Sequence, residues 1–196
     1  MDNRFIRGVG DRNILDRFAL DFCAVAEKHV KYIIVSGFVA ISHGRRRTTE
    51  DIDMIIEKIS LDKFKDFHEE LLVNGFHCMQ STKVDDIYDY LIHKDSVRYV
   101  RQGSLMPPEM EVKFVKDEID ELQMATRKKF DFTGLDLWFS SIEFNIAFKE
   151  ELLKAPKDLE DARHLRIIYK EEIDENFINE IKKMIKKLRL KKNGKR

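Results

Sequence analysis

Two aspartates separated by one residue, Asp51 and Asp53, sit in "TTEDIDMIIE", where Ile52, Met54 and Ile56 alternate with them. Alternation at period two marks a strand, and it places both carboxylates on one face with Cα atoms about 6.5 Å apart while the apolar residues face the other way. Burying such carboxylates costs free energy unless a cation answers them. Paired oxygen donors suit a hard divalent ion, Mg²⁺ or Mn²⁺, which keeps part of its water shell and leaves positions for phosphate oxygens. Two ions about 3.5 to 4 Å apart would align an attacking hydroxyl with a leaving pyrophosphate, an arrangement that needs a third carboxylate from a neighbouring strand. In "PPEMEVKFV", Glu109 and Glu111 alternate with Met110, Val112 and Phe114; Glu111 is the candidate third ligand, and Glu109 shares its face as the alternative.

Phosphate also needs a cradle. "KYIIVSG" is a buried strand ending at Gly37, and "FVAISHG" a short helix closed by Gly44. At the turn between them the small residues Ser36 and Gly37 let backbone approach a triphosphate, and the helix start offers unpaired N–H groups. Thr49 adds a hydroxyl, and Arg47 adds a guanidinium that can neutralise phosphate or pair with the acids.

The elements that hold these residues follow from the pattern of apolar positions. Ile14, Leu15, Phe18, Ala19, Phe22 and Val25 form one helical stripe. Ser60 is the expected N-cap of a helix that buries Phe64, Phe67 and Leu71 and stops at Gly75. "FHCMQ" and "SVRYVRQ" read as strands around the helix "VDDIYDYLIHK". After "EMEVKFV" a helix is expected from Glu118 to about Lys129, then a short strand "LDLWF". The result is an α/β or α+β unit, a mixed sheet covered by helices. From Ser140 onward the chain reads as helix: a capping box from Ser140 to Glu143 opens one, Pro156 suits the first turn of the next, and "ENFINEIKKMIKKLRL" forms the last. These readings divide the chain into a core over 1–139 and a C-terminal helical region with a basic tail over 140–196.

"SGFVAISHGRRRTTEDIDMII" resembles the signature of the DNA polymerase beta-like nucleotidyltransferase superfamily, in which a small-residue turn ending one strand precedes an Asp-x-Asp on the next. It looks closest to minimal nucleotidyltransferases related to AbiEii-type toxins, whose Arg-x-Thr-x-Asp-x-Asp string is filled here by Arg47, Thr49, Asp51 and Asp53. "SSIEFNIAFKEELLKAPKDLEDARHL" resembles that family's helical segment, with Lys149, Lys157, Asp158 and Asp161 at the matching positions. Two departures stand out: the turn begins with Ser36 where the family usually has glycine, and the third acid is Glu where Asp is common. The resemblance implies that Asp51, Asp53 and Glu111 are catalytic metal ligands, with Glu111 placed to take the acceptor's proton. It implies that Ser36 contacts the nucleotide phosphates and that Lys149 or Lys157 reaches the same triphosphate. The expected activity is Mg²⁺-dependent transfer of a nucleoside monophosphate from a nucleoside triphosphate (NTP) to a hydroxyl, on the 3′ end of an RNA such as tRNA or on a protein, with a cognate toxin or antitoxin as a further partner. The competing expectation is a catalytically weak nucleotide- or RNA-binding module resembling an antitoxin.

Charged residues make up 37% of the chain at a formal net charge of +0, but nine of the 36 basic residues fall between Lys182 and Arg196, leaving 27 against 36 acidic ones elsewhere. Such a tail is either the solvated face of an amphipathic helix or an attractor of RNA phosphates. Cys23 and Cys78 sit among apolar neighbours, which argues against a disulfide framework or a cysteine-based zinc site and points to a reducing cytoplasm. The six histidines are scattered without metal-ligand spacing. No apolar run approaches the roughly 20 residues of a membrane span, and "MDNRFIRGVGDRN" lacks the apolar segment of a secretory signal.

Overall fold

The computed structural model describes residues 12–104 and 107–193. The opening residues tested for a secretory signal, and residues 194–196 of the basic tail, lie outside the described residues or at their edge. In chain order the elements are α1 (Ile14–His29), β1 (Tyr32–Val35), α2 (Gly37–Ser42), β2 (Asp51–Ile56), α3 (Leu61–Val73), β3 (Phe76–Cys78), α4 (Val84–Ile92), β4 (Val97–Arg101), β5 (Glu109–Phe114), α5 (Glu118–Ala125), α6 (Ile142–Phe148), α7 (Pro156–Ile168) and α8 (Glu175–Asn193). The strands form one mixed sheet in the order β1-β2-β5-β4-β3. β2 and β5 run parallel at its centre, and the remaining neighbours are antiparallel.

Register decides which acids meet. Asp51 lies beside Glu109 and Asp53 beside Glu111 across the parallel pair, so all four carboxylates emerge on one face. The opposite face carries Ile52, Met54, Ile56, Met110, Val112 and Phe114 into the main core, where α1, α3 and α4 pack over the sheet. β1 is buried on both faces: Tyr32 and Ile34 join that core, whereas Ile33 and Val35 form a small cluster with Ile55 on the other side. A second core links Ile119 of α5 to Phe144, Ile146, Leu165, Ile178, Ile181 and Ile185 of the last three helices. No described helix is long and apolar enough to cross a membrane.

Local chemistry explains most boundaries. Asn13 caps α1 through a capping box with Asp16, Ser60 accepts from the Lys63 N–H at the start of α3, and Asp117 caps α5. Three expectations need correction. Residues 135–139 do not form a strand: only Phe139 bridges, to Ile34 on one side and Lys128 on the other. The segment is cut off by Gly134 in a left-handed turn and by the onset of α6. The cap of α6 is Ser141, whose hydroxyl accepts from Phe144 N–H, and the expected Ser140–Glu143 box is absent because the Ser140 N–H bonds Ile34 O at the sheet edge. Finally, α5 stops at Ala125, since the Thr126 hydroxyl bonds back to Leu122 O and Lys128 is drawn into the bridge to Phe139.

Candidate active site

The strand β1 delivers the chain to Ser36, whose backbone at φ 66 and ψ −133 lies in a region that L-residues rarely enter. This is the physical reason for glycine at such a turn, and here serine occupies it. Gly37 opens α2 at a close approach: an added Cβ would stand 1.9 Å from Arg47 Nη2. The Arg47 guanidinium therefore rests against the turn where the sequence placed phosphate. α2 has only six residues, so its dipole contributes little and the guanidinium is the main local positive charge.

Arg47 pairs with an acid other than Asp51 or Asp53. Its Nη1 lies 3.3 Å from Asp161 Oδ2 on α7, and Asp161, fully buried, also holds Lys149 Nζ at 2.9 Å and Arg45 Nε at 3.6 Å. Lys149 reaches Asp158 as well, at 3.4 Å, and is itself 1% exposed. It begins a π-helical turn, Lys149–Leu153, that continues α6 and carries the lysine inward. A buried ion cluster thus ties α6 and α7 to the phosphate turn. Among the sequence-predicted residues, Lys149 belongs to this cluster, whereas Lys157 is exposed on α7 and does not line the cavity described below.

On the acidic face, Thr49 donates its hydroxyl to Asp51 Oδ1 at 2.8 Å, fixing that carboxylate. Burial pushes the Asp53 carboxyl above its ordinary pKa; Lys113 opposes this, Asp51 and Glu111 add to it, and the Ser36 hydroxyl opposes it weakly. Glu109 is raised for the same leading reason, burial, against the pull of Arg98. Protein cations answer these acids. Arg98 on β4 holds Glu111 at 3.0 Å and Glu109 at 3.1 Å, and Lys113 Nζ lies 4.0 Å from Asp53. Consistently, among the described residues no group of three or more His, Cys, Asp or Glu side chains is gathered closely enough to hold a metal ion. Register places Asp53 beside Glu111, but the Glu111 carboxylate is turned to Arg98. The donor set still fits Mg²⁺ or Mn²⁺: hard oxygens only, with mutual repulsion that a divalent cation relieves.

A cavity of about 270 Å³ opens beside Asp53 and Ser36 and extends under α5 and α6, lined by Lys113, Lys116, Asp120, Gln123, Asn145, Phe148 and Lys149 among others. Sequence reasoning missed most of these. Lys113 was within reach, two residues beyond Glu111 on the same strand face, whereas Gln123 and Asn145 look like ordinary polar positions of helices. The histidine nearest the turn, His43, is buried with its ring against Phe130, Phe132, Phe139 and Tyr169, a structural position.

The mixed five-stranded sheet and the helices around it make a fold that known nucleotidyltransferases share. Two solved structures of the aminoglycoside nucleotidyltransferase ANT(2″)-Ia, an antibiotic-resistance factor, share it. Its solution structure superposes with a TM-score of 0.56 at 15% identity, covering 92% of this chain and 95% of that one. Its crystal structure in complex with adenylyl-2″-tobramycin superposes with a TM-score of 0.54 at 14% identity, covering 89% and 98%. No protein-family model matches the sequence, and no curated protein matches it.

Proposed function

We propose that the chain transfers a nucleoside monophosphate from a nucleoside triphosphate to a hydroxyl acceptor and releases pyrophosphate. One observation carries the reading: Ser36, at the turn against which Arg47 is held, and the carboxylate of Asp53 line the same cavity. Asp51 and Asp53, with Glu111 from the adjoining strand, would hold Mg²⁺ or Mn²⁺. When bound, such ions neutralise polyphosphate charge and acidify the attacking hydroxyl. The side chains do the positioning: Arg47 binds phosphate oxygens at the turn, Lys113 and Lys116 supply charge along the cavity, and Thr49 keeps Asp51 oriented. Glu111, once released by Arg98, would accept the proton of the acceptor hydroxyl, the role that the family resemblance implies.

For the acceptor, the resemblance to AbiEii-type toxins supports an RNA 3′ end or a protein, and a toxin–antitoxin setting. On α8, Lys182 and Lys186 pair with Glu150 and Glu151, while Lys183 and Lys187 stay exposed to meet RNA. The structural neighbour bound to adenylyl-2″-tobramycin makes a cationic small molecule the alternative, and the surplus of acids beside Glu109 suits one. A second reading, a nucleotide-binding module with little transfer activity, is favoured by the hold of Arg98 on Glu109 and Glu111.

Incubation with NTPs labelled at the α-phosphate, with Mg²⁺ and pools of RNA, protein or aminoglycoside, tests transfer directly. Label should move to an acceptor in the wild type and not in Asp53→Ala of unchanged circular dichroism. Equal transfer by the two proteins would remove the assignment, and nucleotide binding without transfer would favour the second reading.

A further inference from the structure

The inner end of the cavity has a polarity that the proposed phosphate chemistry does not use. Gln123 on α5 is 4% exposed and lines the cavity, and among the described residues its side-chain amide has no hydrogen-bond partner. An amide facing the cavity in this way keeps its hydrogen-bonding atoms for whatever fills the space, and a ligand that left them unpaired would lose the water they hold. Asn145, equally buried, donates Nδ2 to Ser140 O at 3.2 Å and to Ser141 O at 2.9 Å, which fixes the amide orientation and leaves Oδ1 without a protein partner. Asp120 accepts the Lys116 N–H through Oδ2 at 3.2 Å, and its second oxygen has no protein donor. Phe148 and Leu152 add apolar lining to the same cavity. Apart from the lysines assigned to phosphate and to the buried ion cluster, these residues offer three acceptors without a partner among the described residues, the oxygens of Gln123, Asn145 and Asp120, against one donor group, the Gln123 NH₂.

A wall of this kind calls for a flat, partly apolar ligand that brings an N–H₂ donor to its edge. We infer that this inner pocket holds the nucleobase of the triphosphate and that Gln123, Asn145 and Asp120 read it, favouring bases with an exocyclic amine (adenine, cytosine or guanine) over uracil. A carboxamide presents a donor and an acceptor side by side, the geometry by which Gln engages the amine and ring nitrogen of adenine. Uracil brings a single N–H and two carbonyls, so it leaves acceptors of the wall unpaired and sets its own carbonyls against them. The inference rests on the nucleotidyl-transfer reading for the identity of the ligand, but its recognition chemistry is independent of catalysis.

The test is calorimetric titration with ATP, CTP, GTP, UTP and inorganic tripolyphosphate in Mg²⁺. It uses the full chain as wild type, Gln123→Leu, which keeps apolar volume, and Gln123→Glu, which keeps shape; thermal melts confirm folding. At least one amine-bearing triphosphate is expected to bind about tenfold or more tightly than UTP, as loss of a buried polar pairing implies. Gln123→Leu should shrink that ratio several-fold and leave tripolyphosphate affinity unchanged. Four nucleotides binding alike to the wild type, or a preference untouched by both substitutions, overturns base reading while leaving the transfer proposal intact. Should tripolyphosphate and every nucleotide fail to bind, the phosphate site itself is refuted, and base reading with it.

Discussion

Gly37→Ala perturbs the phosphate turn through a single methyl group. The new Cβ would lie 1.9 Å from Arg47 Nη2 and 3.1 Å from its Cζ, so the guanidinium must move away. Moving breaks its 3.3 Å pair with Asp161, whose side chain is fully buried. Stranding a buried charge entirely costs about 3–5 kcal/mol, but Asp161 keeps Lys149 at 2.9 Å and Arg45 at 3.6 Å. The expected loss is therefore smaller, about 1–3 kcal/mol, and replacing glycine by alanine in the first helical turn returns at most about 1 kcal/mol. A net destabilisation of up to about 3 kcal/mol follows, read by urea unfolding with the single tryptophan, Trp138, as probe. The decisive comparison is the double-mutant cycle with Arg47→Ala. In that background the close contacts at 1.9 and 3.1 Å are gone, so Gly37→Ala should be neutral or stabilising, giving a coupling of about 1–3 kcal/mol. Equal cost in both backgrounds would refute the claim that Gly37 exists to admit the guanidinium.

Three more outcomes follow from the acidic face and the turn. A carboxyl whose pKa is raised on folding contributes stability below its unfolded value that is lost as pH rises through the folded one. Asp53→Asn should therefore raise the melting temperature at pH 7, with the gain shrinking as pH falls toward the ordinary value of 3.8; a pH-independent difference would contradict the burial of Asp53. Arg98→Ala frees Glu109 and Glu111 from a half-exposed cation, so Mn²⁺ should bind about two- to fivefold more tightly by paramagnetic resonance titration, and weaker binding would show that Arg98 organises the site. Ser36→Gly relieves a backbone strained at φ 66 and should stabilise the chain by about 1 kcal/mol in chemical denaturation; a loss of stability would mean that the hydroxyl contributes more than the strain costs.

The sequence carried much of this arrangement because the strongest signals are local. Period-two alternation assigned Asp51, Asp53, Glu109 and Glu111 to faces correctly, and the small-residue turn was visible at Ser36–Gly37. Which glutamate stands beside which aspartate depends on the register of two strands more than fifty residues apart, and alternation cannot supply it. The two adjacent serines show the same limit: Ser140 and Ser141 are equivalent as caps by composition, and the hydrogen bond from Ser140 to Ile34 across the fold decides between them. Lys149 is legible only as a candidate phosphate contact, and its burial between Asp158 and Asp161 depends on α7 folding back against α6. Gln123 could not be found at all, because its burial depends on how the C-terminal helices pack around α5, and a lone polar residue on an amphipathic helix carries no sign of that. Arg98 was missed for a related reason: its role depends on lying across the sheet from Glu111.

The central claim is tested most directly by crystals soaked with Mn²⁺ and a non-hydrolysable nucleoside triphosphate, using the anomalous signal of manganese. The account predicts a manganese peak between Asp51 and Asp53, Glu111 rotated from Arg98 toward it, and the phosphates against Ser36, Gly37 and Arg47. Manganese elsewhere on the surface, or a triphosphate seated away from that turn, would contradict it.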